Sequence, residues 1–348
     1  MKADVLHSVG NFSCDEVEIP VPHGEELLIK VGACGICGSD FPRVFEHGSS
    51  NGKYPLTIGH EFSGTIVAVG EKADKNLIGK KGAIFPIIPC KKCEPCSISN
   101  FSMCENYDYL GSRRNGGMAE YCVIPSKWNF IESKGASLVS LAMTEPACVA
   151  QHAVRKANVK AGETAVVFGA GPIGIMAARW IELFGAKPIL VDISDEKISF
   201  VKKLGYDIIN SREENVADKV KEINNGKLAD ASIEGTGSSG GFIGCIECVK
   251  PLGNISLLGN PSGDTTLPLK IHSMLMRKEL TVSGVWNSSR SPIPVNEWEF
   301  TVKMMDEGKF AVGDLISDKL SLQEIPETMK KIKEKSYSII KAMYVSKN

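Results

Sequence analysis

The stretch TAVVFGAGPIGIMAARWIELFGAKPILVDIS, residues 164–194, decides the fold of one half of this chain. It begins with a short β-rich run and continues with the pattern G-x-G-x-x-G, formed by Gly169, Gly171 and Gly174. Apolar residues then recur at helical spacing, and a second strand-like run, PILVD, ends at Asp192. The glycine pattern alone is a weak signal. With a strand before it, a helix after it and an acidic residue beyond, it predicts a dinucleotide-binding βαβ unit.

The start of the predicted helix and the end of the second strand indicate which dinucleotide binds. Pro172 and Ile173 lie with the glycines at the helix N-terminus, where unpaired N–H groups can hold a pyrophosphate. Asp192 would accept hydrogen bonds from ribose hydroxyls, and its charge would repel a 2′-phosphate. Ile193 and Ser194 place no cation beside it. We therefore predict NAD rather than NADP as the cofactor, with a doubly wound domain that binds no nucleotide as the alternative.

The chain continues with further strand-like runs, at residues 229–237, 254–259 and 280–285, and helical patterns separate the earlier ones. This alternation predicts a parallel sheet. Thr236 follows the first of these runs, and we expect it to line the nicotinamide pocket. A plain turn residue is the alternative for this position.

Length, charge and hydropathy limit the class of protein. The 348 residues exceed what one core usually supports, so two domains are expected. A net charge of −1 argues against nucleic acid as the main partner. The first residues lack the apolar run of a signal peptide, and no apolar stretch reaches the ~20 residues that span a bilayer. We expect a cytoplasmic protein with no membrane partner, in which thiols stay reduced.

A second informative stretch is PCKKCEPCSISNFSMC, residues 89–104. It contains four of the eleven cysteines: Cys90, Cys93, Cys96 and Cys104. Thiolates at this spacing can close around one tetrahedral zinc ion, at roughly 2.3 Å per bond. No fifth donor is apparent, so the site would be closed and structural. Disulfides, an iron–sulfur cluster and unliganded thiols are the alternatives, and a reducing compartment disfavours the first.

Another set of possible ligands is dispersed along the chain: Cys37, His60, Glu61 and Glu145. A thiolate, an imidazole and a carboxylate predict an open zinc site with room for water or substrate. The set carries more weight than any single member because its residues lie in turn-like sequence between strand-like runs. Cys34 could instead pair with Cys37 as a redox Cys-x-x-Cys, but no thioredoxin-like βαβ pattern surrounds them.

The motifs GICGSD, GHEFSG, GGMAEY and GAGPIG, together with the four-cysteine stretch, follow one another along the chain. In this order the whole chain resembles the zinc-containing medium-chain alcohol and polyol dehydrogenases. The resemblance implies an α/β protein with a GroES-like β-barrel catalytic domain, residues 1–147 and 287–348, that includes a zinc lobe at 89–105. A doubly wound Rossmann NAD-binding domain, residues 148–286, would interrupt it. The resemblance also implies a substrate cleft between the domains, and we expect a homo-oligomer, dimer or tetramer.

The resemblance further implies roles for the candidate ligands. Cys37, His60 and Glu145 would hold a catalytic zinc, and Glu61 would be a fourth ligand or a carboxylate that exchanges with water. With the four-cysteine site, this makes two zinc ions per chain. Ser39 would take the substrate proton. Many relatives have a histidine as the outer member of the proton relay, where this chain has Pro42. The resemblance therefore does not identify the group that carries the proton from Ser39 to solvent.

The substrate is expected to be a polyol or polyol phosphate. A glutamate at position 145 resembles the polyol branch of the family, since the simple alcohol branch uses cysteine there. Residues 107–121 and 282–299 are similar to dehydrogenases of polyol phosphates. A dianionic substrate needs cations, and guanidinium groups match phosphate oxygens. The candidate substrate residues are Arg43, Arg113, Arg114 and Trp286.

Four other functions remain as alternatives. An unphosphorylated polyol such as sorbitol or a butanediol is the main rival substrate, and threonine is another. A zinc-free quinone reductase would lack the cysteines and the histidine. A non-enzymatic zinc-ribbon protein that binds nucleic acid would need a basic face, which the balanced charge does not favour.

Overall fold

The computed structural model describes residues 1–261, 263–336 and 339–347. The chain divides into two compact units, which are described separately. Unit 1 comprises Met1–Pro146 and Ser289–Asn348, and unit 2 comprises Ala147–Ser288. Within the described residues, no helix combines the length and the apolar composition needed to cross a membrane.

The strands, in chain order, are β1 (Lys2–Ser8), β2 (Asn11–Glu16), β3 (Leu27–Gly35), β4 (Leu56–Thr57), β5 (Glu61–Val69), β6 (Lys81–Ile84), β7 (Ile87–Ile88), β8 (Asp108–Tyr109), β9 (Tyr121–Ile124), β10 (Phe130–Glu132), β11 (Thr164–Phe168), β12 (Lys187–Asp192), β13 (Ile208–Asn210), β14 (Ala229–Glu234), β15 (Val249–Leu257), β16 (Thr281–Gly284), β17 (Asp318–Leu320) and β18 (Ala342–Val345).

The α-helices are α1 (Asp40–Pro42), α2 (Glu94–Ser97), α3 (Leu138–Ala142), α4 (Thr144–Lys156), α5 (Pro172–Leu183), α6 (Asp195–Lys203), α7 (Val216–Ile223), α8 (Ser239–Cys248), α9 (Leu269–Arg277), α10 (Glu297–Asp306) and α11 (Ile325–Lys333). Short 3-10 turns include Phe101–Met103 and Lys127–Asn129, and a π-helical turn spans Arg43–His47.

Unit 2 is built on a parallel sheet with the strand order β13-β12-β11-β14-β15-β16. This is the order of a doubly wound dinucleotide-binding sheet, with β11 as its first strand. The central strands β11 and β12 carry near-continuous buried runs, as expected for a parallel sheet covered on both faces, and Val166, Ile189 and Ile255 are fully buried in the core. The parallel α/β sheet predicted from the sequence is confirmed.

Two glycines of the G-x-G-x-x-G motif are required by the backbone between β11 and α5. Gly169 has a φ of +97°, which side-chain-bearing residues rarely adopt. A Cβ atom at Gly174 would collide with the Gly169 carbonyl oxygen, so only glycine lets the helix pack this closely on the strand. Pro172 then begins α5 with Gly171 as its N-cap, a favourable place for proline.

Unit 1 contains mostly antiparallel sheets. Its largest sheet has the order β10-β6-β5-β3-β18-β17, with β9 also pairing with β3, and a smaller sheet has the order β2-β1-β4. Buried side chains from both sheets, among them Leu6, Ile29 and Phe62, share one core with Ile325 and Met329 of α11. The C-terminal strand β18 therefore completes a sheet that begins near the N-terminus.

Candidate functional site

The register of two neighbouring strands brings three candidate ligands together. β3 ends at Gly35 and β5 begins at Glu61, and these two residues are directly paired in the antiparallel ladder. Cys37 follows the end of β3, and His60 immediately precedes β5. One potential ligand atom from each of Cys37, His60 and Glu61 lies within 4.8 Å of the other two.

Asp40, which the sequence analysis did not single out, is buried beside two of these ligands. Its Oδ2 accepts a hydrogen bond from the Cys37 N–H at 2.9 Å, and its Oδ1 lies 3.5 Å from His60 Nδ1. Burial alone would lower the pKa of His60, but the negative charges of Asp40 and Cys37 raise it well above its usual value. Asp40 lies where a carboxylate can orient a metal-binding histidine, but at this distance Asp40 Oδ1 and His60 Nδ1 form no hydrogen bond. The acidic residue of GICGSD was the available signal.

Lys341 is a second residue that the sequence analysis missed. Its Nζ forms an ion pair with Glu61 Oε2, and both side chains are buried. The same ammonium group donates a hydrogen bond to the Ile36 carbonyl at 2.8 Å. Burial opposes the charged form, but Glu61 and Cys37 raise the pKa of Lys341 above its usual value. The only sequence signal is a lysine within the apolar run IIKAMYV, 280 residues after Glu61 (341 − 61).

Glu145 lies near this group but outside its tightest set. It is buried in the first turn of α4, and Tyr109 Oη donates a hydrogen bond to its Oε1 at 3.5 Å. The ring centroids of Tyr109 and His60 are 5.8 Å apart, so Tyr109 contacts both Glu145 and His60. Burial raises the pKa of Glu145 to about 7, and the negative charge of Glu61 acts in the same direction.

The geometry and charge of this group fit a zinc ion. Two ligands of a tetrahedral zinc ion, each about 2.0–2.3 Å from the metal, lie roughly 3.3–3.8 Å apart. Small side-chain adjustments would bring Cys37, His60 and Glu61 into that range. The thiol, imidazole and carboxylate of the group are the ligand types that zinc prefers. Ser39 Oγ donates to Cys37 Sγ at 3.3 Å, which places its hydroxyl directly beside a candidate ligand.

The four cysteines of residues 89–104 also converge. The Sγ atoms of Cys90, Cys93, Cys96 and Cys104 all lie within 4.8 Å of one another. None of them forms a disulfide, and the Cys90 N–H donates to Cys104 Sγ at 3.2 Å. A hydrogen bond from the Lys92 N–H lowers the pKa of Cys90 to about 6, whereas burial raises the pKa of Cys96 to about 12 and raises that of Cys104. The set fits a closed structural zinc site.

In unit 2, Asp192 lies at the end of β12, beside the glycine motif. Its carboxylate accepts hydrogen bonds from the N–H groups of Ala170 at 2.7 Å, Ile193 at 2.8 Å and Ser194 at 2.9 Å. Burial raises the pKa of Asp192, but these hydrogen bonds outweigh it and the net pKa is lowered. Lys197 Nζ lies 3.5 Å from Oδ2, so α6 supplies a cation that the residues adjacent to Asp192 did not indicate.

Thr236 follows β14, where the sequence placed it, and its polar groups are held by neighbouring side chains. Its hydroxyl donates to Glu234 Oε1 and also lies 2.8 Å from Ser238 Oγ. Its N–H donates to the same Glu234 oxygen at 2.7 Å. The buried Glu234 carboxylate therefore shapes this loop, a role that the sequence analysis did not assign.

The candidate substrate arginines differ in their surroundings. Arg43 Nη1 donates to Ser50 Oγ at 2.9 Å. Burial raises the pKa of Asp40, but His60, the Cys37 N–H and, most weakly, the charge of Arg43 lower it, and the net pKa is lowered. Arg43 is therefore electrostatically linked to the metal group.

Within the described residues, the other candidate substrate residues contact neither the metal ligands nor Asp40 by a hydrogen bond, ion pair or ring contact. Arg113 lies over the Tyr107 ring, 4.1 Å from its centroid, and donates to the Tyr107 carbonyl. Arg114 is exposed and pairs with Asp108 at 2.7 Å. Trp286 belongs to unit 2 and is half exposed.

Two family models match the chain. The model described as "Alcohol dehydrogenase GroES-like domain" matches residues 23–133, and the one described as "Zinc-binding dehydrogenase" matches residues 172–307. Galactitol 1-phosphate 5-dehydrogenase of Escherichia coli K12 is 33% identical over 335 residues, covering 95% of this chain and 96% of its own. Sorbitol dehydrogenase of Bacillus subtilis is 27% identical over 353 residues, covering 99% and 96%.

Solved structures give the same result. The crystal structure of galactitol-1-phosphate dehydrogenase from Escherichia coli has a TM-score of 0.91 at 31% identity and covers 99% of this chain and 100% of its own. A putative zinc-binding dehydrogenase from Sinorhizobium meliloti, bound to NADP, has a TM-score of 0.88 at 26% identity and covers 99% of each chain. The α/β fold class, with a GroES-like domain and a Rossmann domain, is confirmed. The chain belongs to the zinc-dependent alcohol and polyol dehydrogenase family of oxidoreductases.

Proposed function

We propose that this enzyme transfers hydride between NAD and a secondary alcohol of a polyol phosphate, converting galactitol 1-phosphate to a ketose phosphate such as tagatose 6-phosphate. The observation that carries this proposal is the 33% identity to a galactitol 1-phosphate dehydrogenase along 95% of the chain. Arg43, whose charge acts on Asp40 of the metal group, offers a cation for the phosphate.

In this proposal unit 1 is the catalytic domain and unit 2 binds NAD. Cys37, His60 and Glu145 hold the catalytic zinc, and Glu61 is the fourth ligand or alternates with water. Bound zinc supplies Lewis-acid polarisation of the substrate oxygen, and NAD accepts the hydride. Cys90, Cys93, Cys96 and Cys104 hold a structural zinc.

The side chains around the metal group have separate tasks. Ser39 Oγ, which donates to Cys37 Sγ in the structure, relays the proton of the substrate hydroxyl, taking it up while its own hydroxyl proton passes to water. Asp40 lies where it can orient the His60 ring, and Lys341 holds the Glu61 carboxylate. The buried position of these groups strengthens their electrostatic effects because water does not screen them.

The NAD site lies at the start of α5. Gly169, Gly171 and Gly174 let the pyrophosphate approach the helix N-terminus, together with Pro172 and Ile173. Asp192 accepts from the ribose hydroxyls, and its negative charge disfavours NADP. Thr236 lines the nicotinamide pocket through its backbone carbonyl, since Glu234 engages both its hydroxyl and its N–H. Trp286 is a candidate contact to substrate.

We further propose a cytoplasmic homo-oligomer. The edge strand β16 of the unit 2 sheet is largely exposed, and Val282 on it and Met276 and Leu269 on α9 are apolar and solvent-facing. An exposed apolar strand at a sheet edge is a template for pairing with another chain. These features support association of two copies.

An unphosphorylated polyol is the second candidate substrate. All three candidate phosphate ligands have partners of their own, Arg43 at Ser50, Arg113 at Tyr107 and Arg114 at Asp108. The sorbitol dehydrogenase of Bacillus subtilis also matches along 99% of the chain. Both observations favour a site without a dedicated phosphate ligand.

The test compares galactitol 1-phosphate with galactitol, sorbitol, 2,3-butanediol and threonine, each with NAD and zinc. We expect the phosphate ester to have the highest kcat/KM. Arg43→Ala should lower kcat/KM for the phosphate roughly ten- to a hundredfold, since a charge-assisted hydrogen bond is lost. It should lower kcat/KM for galactitol much less, because there only its weak effect on Asp40 is lost. Arg113→Ala and Arg114→Ala serve as comparisons. Equal kcat/KM of the wild type on phosphorylated and free polyols would refute the preference for a phosphate ester and indicate a general polyol dehydrogenase.

A further inference from the structure

Unit 1 contains a cavity of about 750 Å³ that shares no residue with either candidate zinc site. It lies between α10 and the segment formed by the Lys127–Asn129 turn and β10, with Arg290 at one side. Its volume is in the range of small-molecule sites. We call it the Arg290 pocket, after its most unusual lining residue.

The Arg290 guanidinium lies over aromatic rings rather than against a carboxylate. Its central carbon is 4.5 Å from the Trp128 ring centroid and 5.6 Å from that of Phe85. In the described ranges of the chain, Arg290 has no ion pair within 4.0 Å, and its solvent-shielded Nη1 has no hydrogen-bond partner. Burial lowers the pKa of Arg290 to about 10, so the group is still charged at neutral pH.

A second cation shares the pocket. Lys127 also lines it, and its Nζ is 3.8 Å from Glu132 Oε2. Burial lowers the pKa of Lys127, the negative charge of Glu132 raises it, and the positive charge of Arg290 lowers it. The two cations therefore repel each other across the pocket, which an anion between them would relieve.

Four acidic residues line the pocket, and none of them forms an ion pair with Arg290 within the described residues: Glu132, Glu299, Asp306 and Glu307. Glu307 pairs with Lys309 at 2.7 Å. Glu132 is shared between Lys80, at 3.0 Å, and Lys127. Asp306 accepts hydrogen bonds from Ser133 Oγ and from the N–H groups of residues 134–136. Glu299 attracts Arg290 at longer range, but it is exposed to solvent. No lining carboxylate in the described chain thus neutralises the guanidinium directly.

We propose that the Arg290 pocket binds a small organic anion, a carboxylate or phosphate ester. Arg290 supplies the charge and hydrogen bonds, since a guanidinium carries five N–H donors in a fork that matches these oxyanions. Ile131 and Val302 offer an apolar wall for the carbon skeleton. The cavity is larger than an inorganic ion requires, which favours an organic ligand.

Trp128 gives this site an optical signal. Besides the Arg290 contact, its ring packs edge-on against Phe85 and Phe101, at 5.2 Å and 5.3 Å between centroids. An anion that draws on the Arg290 charge changes the electric field at the indole, so its fluorescence should change on binding. Trp128→Phe assigns that change among the four tryptophans.

The experiment uses the full-length, zinc-loaded protein and three probes: inorganic phosphate, citrate and phenyl phosphate, titrated at constant ionic strength by calorimetry and tryptophan fluorescence. We expect saturable binding, tightest for an organic probe. Arg290→Gln should weaken it roughly ten- to a hundredfold. Glu299→Gln should tighten anion binding severalfold, because it removes an exposed negative charge that repels the anion. Arg212→Gln, at an exposed arginine of unit 2, is the matched control and should change nothing.

Binding in this assay needs no turnover, so its outcome is independent of the proposed function. No saturable binding of any probe by the wild type would overturn the proposal. So would binding that Arg43→Ala abolishes and Arg290→Gln leaves intact, because it would assign the anion to the catalytic site. If Arg290→Gln fails to fold, as judged by circular dichroism, Glu299→Gln decides, and unchanged affinity in that variant would also refute the proposal.

Discussion

At the scale of single residues, Asp4 is an acid in an unfavourable place. It is fully buried opposite Cys14 in the β1–β2 ladder, and burial raises its pKa to about 8. An acid whose pKa is higher in the folded than in the unfolded chain stabilises the fold most at low pH. That contribution is lost as the pH rises towards 8, because the unfolded chain has already released the proton.

We therefore expect the free energy of unfolding to fall between pH 5 and pH 8, with Asp4 contributing up to ~1.4 kcal/mol per pH unit. Asp4→Asn should flatten this dependence and stabilise the protein at pH 8. Urea unfolding at several pH values measures it, with the exposed Glu25→Gln as control. Parallel pH profiles for wild type and Asp4→Asn would show that Asp4 is ionised in the folded chain.

Asp192 and Lys197 make a second prediction at this scale, because they place opposite charges at the expected ribose site. Asp192→Asn keeps one of the two oxygens that accept from neighbouring N–H groups and removes the repulsion of a 2′-phosphate. It should lower kcat/KM with NAD about tenfold or more and improve NADP. Lys197→Gln should shift the ratio in the opposite direction. Equal use of NAD and NADP by the wild type would contradict the assigned role of Asp192.

At the scale of elements, the turn between β11 and α5 offers a matched pair of glycines. A Cβ at Gly171 meets nothing within 4 Å, whereas one at Gly174 collides with the Gly169 carbonyl. Gly174→Ala should cost about 1–3 kcal/mol of stability through overpacking. Gly171→Ala should leave the melting temperature nearly unchanged and still weaken NADH binding, because its methyl group occupies the path of the pyrophosphate. Equal melting temperatures for the two variants would contradict this account of the turn.

The β3–β5 pair shows why strand register matters for the metal group. The pairing of Gly35 with Glu61 sets Cys37 and His60 at adjacent strand ends. A one-residue slip would turn every side chain of a strand to the opposite face and separate the ligands. The long β3–β5 ladder therefore serves the site as well as the core.

At the scale of the whole molecule, the two cysteine-containing sites predict two zinc ions with different roles. Cys37→Ser should remove one zinc and activity with little effect on the melting temperature. Cys93→Ser should remove the other and lower the melting temperature, because metal binding at a closed site is folding free energy. Native mass spectrometry and elemental analysis count the metals. One zinc per wild-type chain, or iron with sulfide, would refute the prediction.

The sequence by itself determined the features that depend on local spacing. The βαβ unit around Gly169–Gly174 and the closely spaced cysteines are short-range patterns, and backbone geometry leaves few other uses for them. The order of the motifs indicated the family. None of these inferences needed a contact between distant parts of the chain.

Only the tertiary structure decided which distant residues share a site. Lys341 reaches Glu61 because β18 pairs with β3, and Arg290 covers Trp128 across more than 160 residues of sequence (290 − 128 = 162). Lys197 lies close to Asp192 because it is in the first turn of α6, which follows the end of β12. Charge–charge energies depend on distance and burial, which spacing along the chain does not encode, so the partners that tune each candidate site emerged from the fold alone.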